Sequence, residues 1–153
     1  KDSIEGADKA TGTSDSDMLV KVFNEYVFAY LHFVSFKYFN QGGPELRDKL
    51  VSWLWPAIFE KINHEVYDSD DQAFLRQLLD EASEADATYA KCNQIVPGGN
   101  NPFSKDATSV VLAERIYDAL NGEGEKTKIL FIINLVAAQN VVDFNIALKD
   151  VEI

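Results

Sequence analysis

The chain has 153 residues, of which 46% are hydrophobic and 25% charged. It is therefore long enough to bury the core of one domain, and too hydrophobic to be wholly disordered. Its 25 acidic residues exceed its 14 Lys and Arg, and the net charge of −11 disfavours binding to nucleic acid or to an anionic membrane surface. The single cysteine, Cys92, excludes an intrachain disulfide and a disulfide-stapled scaffold.

Residues 1–16 are predicted to form a flexible acidic and polar tail, and residues 17–153 the helical domain. The tail has Ile4 as its only large apolar residue, so it buries too little to offset the entropy lost on ordering. The chain begins with Lys1 rather than a methionine, which favours a processed, secreted protein. It lacks the pattern Asn-x-Ser/Thr, so no N-glycan is expected.

The first helix is predicted at 17–39, where apolar side chains occupy every face. Such a helix needs neighbours all round, so we expect it at the centre of the fold. Eight of the chain's 18 aromatic residues lie here: Phe23, Tyr26, Phe28, Tyr30, Phe33, Phe36, Tyr38 and Phe39. Four polar residues share one narrow stripe that is expected to meet water or a polar cavity: Lys21, Glu25, His32 and Ser35.

A second helix is predicted at 44–67, because two glycines end the first helix and Pro44 suits a first helical position. Pro56 removes a hydrogen bond, so a kink or short break is expected there. Trp53 and Trp55 project roughly 200° apart on a helix, and one of them is therefore expected to be exposed.

The third helix has a clean amphipathic pattern from Phe74 to Val96, and Ser69 with Gln72 matches a capping box at its start. Cys92 is interpreted as a core thiol on this helix, with an interchain disulfide or a reactive thiol as alternatives. The side that faces water is predicted to be acidic: Asp80, Glu81, Glu84 and Asp86.

Two further helices follow the Pro- and Gly-rich breaker at 97–102. Ser104 or Asp106 is predicted to cap the fourth, which should end near Asn121. The last, from Lys126 to about Lys149, is apolar on nearly all faces and is predicted to pack centrally. Its β-branched run at 129–133 also fits a buried strand, but a continuous apolar segment without turn signals favours a helix.

Both apolar helices are long enough to suggest a membrane span. Each, however, carries several charged or amide side chains that would be costly in hydrocarbon, so no membrane span is predicted.

Motifs for catalysis or metal binding are not found in the sequence. Asp68, Asp70 and Asp71 resemble the start of a calcium loop, but Ala73 and Leu79 occupy the positions where an EF-hand needs Gly and Glu. Glu60 and His64 do not have the Glu-x-x-His spacing of a bundle metal site. We therefore predict no catalytic residue, no metal ligand and no cofactor.

The sequence thus predicts an all-α, single-domain bundle of about five helices, with the aromatic first helix and the apolar last helix packed centrally. Its predicted function is that of a non-catalytic, soluble binding protein that carries a hydrophobic small molecule such as a lipid or pigment. Eight residues are candidates for ligand binding, although packing of the core would also explain each of them: Tyr26, Tyr30, His32, Phe33, Trp53, Trp55, Asn134 and Gln139.

Two alternatives stay open. The first is a protein-interaction or self-assembly module, including a homodimer, that uses an exposed aromatic patch and the acidic surface. The second is an enzyme without a recognisable motif.

Overall fold

The computed structural model describes residues 15–92, 104–121 and 125–151, and these contain four helices and no strand. The helices are α1 Asp15–Glu65, α2 Gln72–Tyr89, α3 Thr108–Ala119 and α4 Lys126–Lys149. The all-α prediction is confirmed, and the 129–133 run is helical. Three predicted segments lie outside the described residues: the tail up to residue 14, the end of the third helix at 93–96 and the breaker at 97–102.

The helix α1 folds back on itself at Gly43, where φ is 72° and ψ is −168°. The rings of Phe28 and Phe59 lie 6.0 Å apart, whereas in one straight helix these positions would be separated by roughly 46 Å. Residues 15–42 form the first arm of α1 and residues 44–65 the second, and the two arms lie side by side. Gly43 thus separates two helical arms where the sequence predicts the end of one helix and the start of the next, and with both arms counted as α1 the described part of the chain has four helices.

Two glycines and a proline make this turn. The positive φ of Gly43 combined with its ψ of −168° belongs to a backbone region that is essentially restricted to glycine, and it costs an L-residue with a Cβ about 1–3 kcal/mol. A Cβ on Gly42 would lie 2.5 Å from Cδ2 of Leu46, so that position must also stay small. Pro44 then begins the second arm with φ already set for a helix.

A kink or a short break was expected at Pro56, and the break is not found, since Gly43 is the residue within α1 that has non-helical backbone angles. Trp55 and Phe59 are both buried, and they hold the turns around the proline in the core. That packing outweighs the one hydrogen bond that Pro56 cannot donate.

The caps of α2 and α3 differ from the predictions. Asp71 is the N-cap of α2 and accepts a hydrogen bond of 2.9 Å from the backbone N–H of Ala73, while Ser69 accepts one of 3.1 Å from the N–H of Asp71. The predicted capping box of Ser69 with Gln72 is therefore wrong. The N-cap of α3 is Ala107, which has no capping side chain, so the predicted caps at Ser104 and Asp106 are also wrong.

The core draws side chains from all four helices, and two polar contacts tie the first arm of α1 to its neighbours. Arg115 of α3 donates from Nε to Glu25 over 2.6 Å. Lys37 donates to the carbonyl of Leu148 and, over 2.7 Å, to that of Val151, and so caps the end of α4. The centre of the core consists of Phe28, Phe59, Leu78, Leu112 and Val141.

The helix α4 lies at the edge of the fold, so the prediction that it packs centrally is wrong. Phe131 and Ile132 are 56% and 61% exposed. The residues it buries are mostly small or polar: Asn134, Ala137, Ala138 and Val141. The side of α4 with small side chains approaches the neighbouring helices closely, and its bulkier apolar residues remain exposed on the other side. In length and composition α4 could cross a membrane, with a mean hydropathy of 1.7 in its most apolar window, and 22% of that window is buried.

The turn at Gly43 should depend on the backbone conformation rather than on the lack of a side chain, since a Cβ at this position would meet no other atom within 4 Å. We expect Gly43→Ala to lower the free energy of unfolding by about 1–3 kcal/mol. Gly43→Asn should cost at least as much, because asparagine tolerates a positive φ where ψ is near +50° and not where ψ is near −168°. Urea unfolding followed by circular dichroism measures both, and an asparagine variant as stable as the unaltered protein would contradict this explanation.

Candidate functional site

A pocket opens beside the turn of α1, with a volume of about 330 Å³. Both arms of α1 and the end of α2 contribute to it. We call it the turn pocket, and its lining residues are His32, Phe36, Phe39, Pro44, Arg47, Asp86 and Ala90.

The polar part of the turn pocket is centred on Asp86. Oδ1 of this carboxylate lies 2.8 Å from Nδ1 of His32 on the first arm, and Oδ2 accepts a hydrogen bond from the guanidinium of Arg47 on the second arm. A carboxylate can only accept, so the contact places a proton on Nδ1 of His32. Asp86 is 7% exposed and His32 3%, and charge-assisted bonds of this kind are about twice as strong as neutral ones.

The apolar part consists mainly of two aromatic rings on the first arm. Phe36 and Phe39 are both exposed at the protein surface, and Phe36 stacks at 6.2 Å from the ring of His32. The side chain of Arg47, which lines the same pocket, is 32% exposed. A molecule in the pocket would therefore meet aromatic surface and a guanidinium together.

A second polar cluster lies next to His32 in the core. The ring of Tyr89 is centred 5.6 Å from that of His32, and burial raises the pKa of Tyr89 far above its usual range. Burial also raises the pKa of Glu25, an effect that its ion pair with Arg115 opposes. The phenol is thus neutral at physiological pH, and the polar groups that line the pocket are Arg47, Asp86 and His32.

Of the eight candidate residues, His32 lines the turn pocket, and Phe33 is buried beside it with ring centroids 5.7 Å apart. Tyr26 and Tyr30 lie elsewhere, in a groove of about 440 Å³ between the first arm of α1 and α4. There the hydroxyl of Tyr26 accepts a hydrogen bond of 3.1 Å from Asn140, and Tyr30 stacks on Phe144 at 4.1 Å.

The other four candidates are separate from both cavities. Trp53 is 73% exposed and lines a shallow groove on the second arm, whereas Trp55 is 3% exposed, so the expectation that one tryptophan is exposed is met. Asn134 is buried in α4. Gln139 is exposed and donates to Asp143 over 2.8 Å. The candidates therefore do not line a single cavity.

The sequence interpretation missed Phe36, Phe39, Arg47 and Asp86 as site residues, and it placed Asp86 on the water-facing side of α2. In fact Asp86 follows Ala82 by four residues and precedes Tyr89 by three, which places it within the buried stripe. That spacing was a signal for a buried carboxylate.

The polar stripe on the first arm was predicted to meet water or a polar cavity, and its four residues differ in their surroundings. Lys21 is exposed, but His32 and Ser35 are buried and Glu25 is paired with Arg115. Most of the stripe therefore faces other helices, and Glu25 and His32 find charged partners there rather than water.

Comparison with known proteins finds no matching family model, no matching curated protein and no matching solved structure. Among the described residues, no group of three or more His, Cys, Asp or Glu side chains is placed to hold a metal ion. The function is therefore inferred from the chemistry of the turn pocket.

Loss of the Asp86 charge should destabilise the fold, because Arg47 and His32 would then lie next to this site without an anion to accept their hydrogen bonds. We expect Asp86→Asn to lower the free energy of unfolding by about 2–3 kcal/mol. Asp80→Asn is the matched control, because Asp80 is an exposed carboxylate on the same helix. Urea unfolding of both variants measures the difference, and a loss as small for Asp86→Asn as for the control would contradict the assigned role.

Cys92 should react slowly with alkylating agents. Its Sγ lies 3.5 Å from the carbonyl of Thr88, and burial, with a smaller effect of Asp106, raises the pKa of the thiol. A raised pKa lowers the thiolate fraction at mildly alkaline pH, and the thiolate is the reactive form. Alkylation by iodoacetamide should therefore be several-fold slower in the folded protein than in urea, and equal rates would contradict the shift.

Proposed function

We propose that the protein binds a compact, mainly apolar small molecule in the turn pocket. The observation that carries this proposal is that one pocket is lined both by two exposed aromatic rings, Phe36 and Phe39, and by Arg47, whose guanidinium is held by Asp86. Ligand pockets are typically apolar surfaces with a few polar groups that fix orientation.

The size of the pocket narrows the ligand class. Its volume of about 330 Å³ is near the lower end of the roughly 300–1,000 Å³ range of small-molecule sites. This favours an aromatic or short-chain molecule over a long-chain lipid. The polar end of the ligand would be a carbonyl or carboxylate oxygen, because a guanidinium offers only donors.

The same residues favour binding over covalent catalysis. His32 and Asp86 form a histidine–carboxylate pair, but none of the seven lining residues has a hydroxyl, thiol or amine that such a pair could activate. The aspartate also bridges two arms of α1, which supports a role in positioning Arg47. The net charge of −11 further supports a small-molecule ligand rather than nucleic acid.

Two probes of matched shape test the proposal: naphthoate and its uncharged analogue naphthalenemethanol. We expect naphthoate to raise the melting temperature of the protein and to give a measurable dissociation constant by titration calorimetry. Phe39→Ala should weaken the binding of both probes about tenfold through lost aromatic contact. Arg47→Lys should weaken naphthoate more than naphthalenemethanol, since the fork of donors is lost.

Val66→Ala is the control, because Val66 is an exposed apolar residue beyond α1 that does not line the pocket. Its affinities should equal those of the unaltered protein. Short-chain carboxylates such as octanoate extend the test to aliphatic bodies. Failure of every probe to shift the melting temperature, or unchanged affinity in Phe39→Ala, would overturn the proposal.

A further inference from the structure

A second cavity lies on the other side of the first arm of α1, where α4 runs alongside it. We call this cavity of about 440 Å³ the tyrosine groove, and its lining residues are Leu19, Val22, Phe23, Tyr26, Val27, Tyr30 and Asn140. The residues of the same arm that line the turn pocket are His32, Phe36 and Phe39, and helical spacing places them on the opposite side. The two cavities therefore have separate linings.

Three aromatic rings form one wall of the tyrosine groove. Phe23, Tyr26 and Tyr30 follow one another at steps of three and four residues, which places them on one side of the arm. The rings of Tyr26 and Tyr30 are centred 5.9 Å apart and tilted by 51°, so they form a corner rather than a flat surface. Phe23 is 43% exposed, and its ring is accessible from solvent. The faces of aromatic rings carry partial negative charge, which attracts cations.

A carboxylate lies beside the polar end of the tyrosine groove. At this end Asn140 donates a hydrogen bond of 3.1 Å to the hydroxyl of Tyr26. Asp143 follows three residues later on α4, where it is exposed and accepts a hydrogen bond of 2.8 Å from the uncharged Gln139. Burial, then the neighbouring Tyr26 and the charge of Asp143, raise the pKa of Tyr30. The negative charge of Asp143 therefore acts on the groove.

Positively charged side chains are turned away from the tyrosine groove. Among the described residues, the seven that line it include no Lys and no Arg. Lys21 lies between Leu19 and Phe23 in the sequence, and helical spacing turns it to the opposite side of the arm. The three lysines of α4 are in its first and last turns, whereas Asn140 lies past its middle. A cation in the groove would therefore meet aromatic faces and a carboxylate, and no like charge among the lining residues.

We propose that the tyrosine groove binds a small apolar organic cation, a tertiary or quaternary amine with an apolar body. The aromatic rings attract its charge, and Leu19, Val22 and Val27 cover its apolar part. The net charge of −11 adds a long-range attraction that a neutral molecule lacks. A carboxylate ligand would instead be repelled by Asp143. The tyrosine groove and the turn pocket therefore select ligands of opposite charge.

Two probes of equal shape and different charge test the proposal: benzyltrimethylammonium and its uncharged isostere neopentylbenzene. Titration calorimetry of the full chain measures their dissociation constants. We expect the cation to bind at least about fivefold more tightly than the isostere at low ionic strength. Added salt should reduce this preference, because it screens the attraction of the acidic chain for the cation.

Two variants separate the contribution of the rings from that of the carboxylate. Phe23→Leu keeps an apolar side chain but removes a ring, so it should weaken the cation about fivefold and leave the isostere within about twofold. Asp143→Asn should also weaken the cation and leave the isostere unchanged. Asp80→Asn is the matched control, because it changes the net charge equally but lies on α2, and it should leave both affinities unchanged. Circular dichroism checks that the variants fold.

The turn pocket provides an independent check. Phe39→Ala should leave the affinity for the cation unchanged, and Phe23→Leu should leave that for naphthoate unchanged, so either site can fail without the other.

Four outcomes would overturn the proposal. The first is the absence of measurable binding of benzyltrimethylammonium. The second is equal affinity for the cation and the isostere, which would make the groove a site for apolar molecules of any charge. The third is an unchanged affinity for the cation in Phe23→Leu. The fourth is a loss in Asp80→Asn as large as in Asp143→Asn, which would assign the attraction to the net charge of the chain rather than to the groove.

Discussion

The carboxylate of Asp86 is the contact on which the turn of the fold depends. It binds His32 on the first arm of α1 and Arg47 on the second, so one residue of α2 holds both sides of the Gly43 turn together. Desolvating a carboxylate costs several kcal/mol, and two charged or strongly polar donors are needed to offset that cost. The angle between the arms therefore depends both on the backbone conformation of Gly43 and on the contacts of the Asp86 carboxylate with His32 and Arg47.

The turn pocket follows from this arrangement. Phe36 and Phe39 lie on the first arm close to the Gly43 turn, and both remain exposed at the surface, where they line the pocket. Arg47 is held at their side by the same carboxylate that holds the arms. A ligand would thus meet a site that is ordered before it arrives, which lowers the entropic cost of binding. The contact that stabilises the fold also fixes the geometry of the pocket.

The sequence predicts structural features that depend on neighbouring residues along the chain. It does not predict features that depend on contacts between residues far apart in the sequence. The limits of α4, the turn at Gly42–Pro44 and the opposite exposures of Trp53 and Trp55 follow from spacing, glycine and proline. The spacing within α2 indicates that Asp86 is buried, but not that it binds Arg47 and His32, which are far from it along the chain. The peripheral position of α4 was missed because hydrophobicity indicates that a side chain will be covered, but not whether its own chain covers it.

The exposed apolar residues of α4 and the acidic surface of the chain act against each other. Copies of a chain with a net charge of −11 repel at long range, an effect that extends over roughly a Debye length of about 8–10 Å in physiological salt. Burial of Ile132 and Leu135 by a partner would act only at contact and would be insensitive to that screening. The three lysines and one aspartate of α4 give this helix a charge opposite in sign to that of the whole chain, so a negatively charged surface would meet less repulsion at α4 than elsewhere on the molecule.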